Sequence, residues 1–145
     1  LAKSLKGLVM RKEDEVKLGR LRLGKDIVIS GKKIKSKSLT YLQKGKKISF
    51  IFDTGKCSGA LKLAKNSDLA VIESTYSKDE EKLAKEYNHL TTEMAAEIAK
   101  KSKVKELVLT HISQRFEYKE KKLLNEARAV FKNVRIAKDL MSLEI

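Results

Sequence analysis

The sequence has no proline and no tryptophan, one cysteine and two histidines among 145 residues. Each scarcity excludes something. With Cys57 alone, no intrachain disulfide can form, which suits a reducing compartment, so a cytoplasmic location is expected. Aromatic residues make up only 6%, so the core must be mainly aliphatic. No apolar run approaches the roughly 18 residues of a membrane-spanning helix, and no signal peptide is visible, so no membrane partner is expected. The absence of proline stands against a usual share of about 5%. The first residue is Leu1 rather than Met, and the expectation is a chain that starts inside a longer protein or has a processed N-terminus. The length suits one domain and is enough to bury a real core.

What is abundant is positive charge. Lys and Arg number 33 against 19 Asp and Glu, a formal net charge of +14. The excess is uneven: residues 1–50 carry 15 basic and 4 acidic residues, and residues 51–145 carry 18 and 15. A basic block is the electrostatic footprint of a polyanion-binding surface. A lysine-rich solvated surface reads the same way, because charge contributes affinity without naming the ligand.

The pattern along the chain alternates. Residues 2–17 predict a short helix. Ser30-Gly31 reads as a hairpin turn between Asp26–Ile29 and Lys33–Lys35, and the lysine-rich stretch 35–47 as a loop. Apolar strands are expected at Ile48–Phe52, Leu69–Glu73 and Leu107–Leu109, with closing strands at Val134–Ile136 and Met141–Ile145. Helices are expected at Gly59–Lys65, Lys78–Tyr87, after an N-capping Thr91, and at Glu120–Phe131, whose Leu123, Leu124, Ala127 and Phe131 share one side. Strands alternating with helices from residue 48 onward imply an α/β layer arrangement. The expected division is a basic lead, residues 1–47, and a layered domain, residues 48–145.

Three apolar strands run into polar residues: Asp53, Glu73 and His111. Layered α/β proteins gather chemistry at strand ends. Zinc takes neutral imidazole and carboxylate ligands, and one aspartate can bridge two metal ions. The separations among Asp53, His89 and His111 do not by themselves form a metal signature.

The order of four motifs carries further. Phe52-Asp53-Thr54-Gly55 resembles the Gly-Asp-Thr motif of metallo-β-lactamase hydrolases, with Phe52 in place of Gly. The strand ending Ile72-Glu73-Ser74-Thr75-Tyr76, the helix start His89-Leu90-Thr91-Thr92, and Leu109-Thr110-His111-Ile112-Ser113-Gln114-Arg115-Phe116 follow in the order found in ribonuclease Z. The resemblance covers residues 48–145. It implies the C-terminal half of a metallo-β-lactamase-type αββα sandwich, and a zinc-dependent endonuclease that removes the 3′ trailer from precursor tRNA. Residue by residue, it implies that Asp53 bridges two zinc ions and that His111 ligates one. His89 would assist the leaving group, oriented by Glu73, and Arg115 would hold a phosphate. Arg20, Arg22 and Lys25 fall where the family carries its tRNA-gripping region, through the thin match Gly19–Asp26.

The family's His-x-His-x-Asp-His motif and its further upstream histidine are absent, so two of seven metal-site residues remain. Gln114 and Phe116 depart from the family's usual residues. Two readings follow. One is a portion of a ribonuclease Z, inactive alone, whose missing half or partner subunit completes the site. The other is a non-catalytic module that binds RNA or a partner. A half-sandwich leaves a sheet face to be covered, so a homodimer or hetero-complex is expected.

Overall fold

The computed structural model describes residues 12–41 and 43–145. The chain divides into two compact units between Gly45 and Lys46.

In the first unit, helix α1 (Asp14–Arg22) precedes a hairpin of β1 (Ile27–Ile29) and β2 (Lys32–Ile34). Both turn residues, Ser30 and Gly31, have positive φ, as a two-residue turn matched to strand twist requires. Leu21, Ile27, Ile29 and Ile34 form a small core. The one-turn helix α2 (Ser36–Leu39) interrupts what the sequence reads as loop. Its Ser36 hydroxyl donates to the Leu21 carbonyl at 2.9 Å, and the Asp26 carboxylate accepts the Ser36 N–H at 3.0 Å. The helix expected over residues 2–17 lies largely outside the described residues. The described helix runs past Lys17 to Arg22, because Leu18 and Leu21 pack on the hairpin core.

The second unit is a parallel sheet of β3 (Ile48–Ile51), β4 (Leu69–Glu73), β5 (Glu106–Thr110) and β6 (Val134–Ile136), in sequence order. Parallel neighbours need crossover connections. Helix α3 (Ser58–Ala64), helices α4 (Glu81–Glu86) and α5 (Thr92–Lys101), and α6 (Glu120–Val130) lie in those connections. Thr91 caps α5, accepting the Met94 N–H at 3.1 Å. Ala95, Ala96 and Ala99 are fully buried, and with Ile98 they pack among Ile51, Ile72, Leu107 and Leu109. Residues 141–145, read from the sequence as a strand, form no strand. The sheet ends at β6, just after which Ala137 still donates its N–H to the Leu109 carbonyl. Along β3 the residues alternate: Ser49 and Ile51 are buried, while Ile48 and Phe50 stay 43% and 57% exposed, as does Phe52 at 51%. Among the described residues, no helix is long and apolar enough to cross a membrane.

A buried carboxylate on α6 ties the helices to the loops above the sheet. Glu126 accepts from the Ser77 hydroxyl at 2.8 Å, the Lys78 N–H at 3.0 Å and the Thr92 hydroxyl at 2.6 Å. Thr92 in turn donates its N–H to the Tyr76 carbonyl, and Tyr76 donates to the Leu90 carbonyl. The stretch after β4 is thereby fastened along the start of α5. Replacing Glu126 by Ala strands three donors in a closed site, and the expected loss is about 2–4 kcal/mol of stability. Glu126→Gln keeps the acceptor oxygen and should lose less. Urea unfolding of both variants checks this; equal stability of Glu126→Ala and wild type would show that the clamp contributes nothing.

Candidate active site

Asp53, Glu73 and His111 stand at or just past the C-terminal ends of three adjacent parallel strands, and His89 stands at the entry to α5. Asp53 and His111 both adopt left-handed backbone, with φ of 45° and 54°. Residues other than glycine rarely do so, and such backbone concentrates at functional sites. The turn brings the side chains together. Asp53 Oδ1 lies 3.8 Å from His111 Nε2 and 3.9 Å from His89 Nδ1, and the two imidazole centroids are 5.5 Å apart.

Glu73 anchors the group. Its side chain has no solvent exposure, so its lone pairs must be satisfied by the protein. The Thr54 N–H donates to Oε1 at 2.7 Å, and the Leu90 N–H to Oε2 at 3.2 Å. The Thr75 hydroxyl lies 2.9 Å from Oε2, and His89 Nδ1 lies 3.1 Å from both oxygens. A carboxylate against one imidazole nitrogen fixes the ring and leaves the other nitrogen for proton transfer.

Thr75 is the residue that motif reading passed over. Its hydroxyl is 2.9 Å from His111 Nδ1 as well as from Glu73, so it touches both halves of the group. The available signal was its place two residues beyond Glu73, which puts both side chains on one side of an extended segment.

Arg115 is set apart from this cluster. It lies in a 3₁₀ turn, Gln114–Phe116, where its guanidinium stacks 5.4 Å from the Tyr76 ring centre and pairs with Glu80 at 3.3 Å. Tyr76 is itself 6.0 Å from the His89 ring. Arg20, Arg22 and Lys25 are exposed residues of the first unit, the two arginines in the last turn of α1 and Lys25 just beyond it.

The donor set suits a borderline cation. One ligand atom each from Asp53, His89 and His111 falls within a 4.8 Å cluster, the only such group among the described residues. One carboxylate and two imidazoles match zinc chemistry, and the 77% exposure of the Asp53 side chain leaves room for further ligands. Within the group, His89 Nδ1 already faces the Glu73 carboxylate, whereas Asp53 Oδ1 and His111 Nε2 face each other at 3.8 Å.

Four residues after Asp53, Cys57 caps α3. Its sulfur accepts the Ala60 N–H at 3.4 Å, and the Thr54 hydroxyl lies 3.8 Å away. These contacts, the Ala60 N–H first, hold the thiol below its ordinary pKa. A lowered thiol pKa means more thiolate at neutral pH. Alkylation of Cys57 should therefore rise with pH around a midpoint below that of free cysteine, and Thr54→Val should move the midpoint up. A midpoint at or above the free-cysteine value, from iodoacetamide rates followed by mass spectrometry, would contradict this.

Comparison with known proteins supplies the family. A family profile described as beta-lactamase superfamily domain matches residues 28–112. Ribonuclease Z of Enterococcus faecalis is 41% identical over 129 residues, 88% of this chain and 41% of the relative. Among solved structures, the metallo-beta-lactamase fold protein YhfI from Bacillus subtilis superposes with a TM-score of 0.57 at 27% identity, over 63% of this chain and 36% of that one. Human tRNase Z, short form, gives a TM-score of 0.50 at 32% identity, over 78% and 37%. The chain thus spans about two fifths of the length of the ribonuclease Z it matches. By the profile that covers more than half of it, and with ribonuclease Z as the relative it resembles, this chain belongs to the beta-lactamase superfamily.

Proposed function

We propose that the chain is the C-terminal portion of a zinc-dependent endoribonuclease of the ribonuclease Z type, which removes the 3′ trailer from precursor tRNA. The observation that carries this reading is the convergence of Asp53, Glu73, His89 and His111 from four separate segments on one point. A purely structural remnant has no need of a buried carboxylate aimed at an imidazole.

Asp53 and His111 would hold zinc, and bound zinc supplies Lewis acidity at a phosphoryl oxygen. The chain's own residues do the rest. Water attacks the phosphorus and the bond to the upstream nucleotide's 3′ oxygen breaks. Glu73 accepts from Nδ1–H of His89, and the ring, in its imidazolium form, gives the Nε2 proton to that leaving oxygen and returns to the neutral Nδ1–H tautomer. Arg115 is a planar donor suited to a phosphate; one terminal nitrogen pairs with Glu80 and the half-exposed side chain keeps further donors. Two zinc ligands fall short of the three or four that catalytic sites use. The remaining ligands would come from a region or partner subunit outside this chain, against which the exposed Ile48, Phe50 and Phe52 offer apolar surface. A homodimer or hetero-complex in the cytoplasm follows from the same reading.

Two predictions test it. The chain alone should bind zinc weakly and cut nothing. Adding the N-terminal half of the Enterococcus faecalis ribonuclease Z should restore trailer removal, abolished by Asp53→Ala and slowed about 10²–10⁴-fold by His89→Ala. Cleavage by the chain alone that survives Asp53→Ala would sink the proposal.

The second concerns Arg20, Arg22 and Lys25. Phosphate contacts position RNA without reading its sequence. The chain should bind tRNA with a log–log salt slope of about −0.7 to −0.9 per phosphate neutralised. Changing all three residues to Ala should flatten that slope without altering the melting temperature. Competition against heparin at physiological ionic strength decides; no preference for tRNA returns the basic block to a solvated surface.

A further inference from the structure

His111 differs from His89 in one respect. His89 has a carboxylate against its Nδ1, whereas His111 has none there: its Nδ1 meets only the Thr75 hydroxyl, at 2.9 Å. That hydroxyl has a single proton and two close partners at equal distance, Glu73 Oε2 and His111 Nδ1, with His89 Nδ1 farther off at 3.5 Å. Which partner receives the proton is settled by Glu73. Its two oxygens already face the N–H groups of Thr54 and Leu90 and the His89 ring, and a carboxylate among donors can only accept. The Thr75 proton therefore goes to Glu73. The hydroxyl oxygen is left with lone pairs alone toward His111, and only a protonated Nδ1 can meet it. The opposite assignment would set two acceptors, the hydroxyl oxygen and Glu73 Oε2, against each other at 2.9 Å.

We propose that Thr75 is a positioning residue that sets the tautomer of His111, keeping the proton on Nδ1 and leaving Nε2 as the free lone pair beside Asp53. The consequence rests on the reading of His111 as a zinc-holding residue: a neutral imidazole binds metal through an unprotonated nitrogen. A side chain that fixes the tautomer of a metal-binding histidine raises the affinity without touching the ion. Thr75 also lends His111 the buried Glu73 carboxylate at one remove, so one acid organises both imidazoles. The left-handed backbone at His111 has the same support, since its ring is tied to the segment after β4, and its neighbour Ser113 donates its N–H to the Thr75 carbonyl at 3.2 Å.

The tautomer is measurable without metal or RNA. With only two histidines in the chain, long-range ¹H–¹⁵N correlation on the ¹⁵N-labelled protein resolves both rings, and a His111→Asn spectrum assigns them. At mildly alkaline pH, where imidazole is neutral, both rings should show predominantly Nδ1–H. Thr75→Val should move His111 to a predominantly Nε2–H or mixed state and leave His89, still facing Glu73, unchanged. Thr75→Ser should restore the wild-type pattern. A wild-type His111 that is mainly Nε2–H overturns the proposal, as does a Thr75→Val His111 identical to wild type; the first result needs no variant to fold. Zinc affinity of the chain, titrated through the His111 ring signals, should fall about 10–100-fold in Thr75→Val and recover in Thr75→Ser. A tautomer change with unaltered zinc affinity would support the role of Thr75 and count against His111 as a ligand, so the two failures are distinguishable.

Discussion

The arrangement depends on one buried acid. Glu73 ends the central strand β4 with its carboxylate closed to solvent, and such a group is tolerated only when donors surround it. The donors come from every side: the Thr54 N–H after β3, the Thr75 hydroxyl, the His89 ring and the Leu90 N–H before α5. Each bond satisfies the carboxylate and at the same time fixes the loop that supplies it. Position and electrostatics are therefore one fact here, because the interaction that makes the acid tolerable is also the one that aims the imidazole.

A second buried acid works from the helix side. Glu126 holds Ser77, Lys78 and Thr92, while Glu73 holds the residues just before them in both segments. Thr75 and Tyr76 lie between the two carboxylates, and the Tyr76–Thr91 bridge runs alongside. The alanine face of α5 lets that helix sit close against the sheet, so its first residues reach the strand ends. Fold and site are thus supported by the same short stretch of chain, residues 73–78.

Much of this was legible in the residues. Apolar runs of four or five, separated by helical spacing, marked β3, β4 and β5 because buried parallel strands are continuously apolar. Thr91 signalled a helix start because its side chain has a backbone partner. The strand-end acids and histidines stood out by type and motif order. What could not be read was of another kind. Met141–Ile145 has strand composition but no neighbour to pair with, and pairing is a property of the sheet. Thr75 carries no distinguishing type, and its importance comes from two partners, 2 and 36 residues distant. The engagement of Arg115 by Glu80 and Tyr76 is likewise a tertiary event that no spacing announces.

The order of the strands has a consequence for how the group comes into being. Glu73 and His89 are 16 residues apart, and the loop between them closes at modest entropic expense. His111 reaches Thr75 over 36 residues, and only once β5 has zipped onto β4. A chain emerging from the ribosome thus presents the acid–imidazole pair first and the last histidine later. Until β5 docks, the nascent protein holds no second imidazole near Asp53. The grouping of Asp53 with two imidazoles is therefore complete only after β5 has joined the sheet.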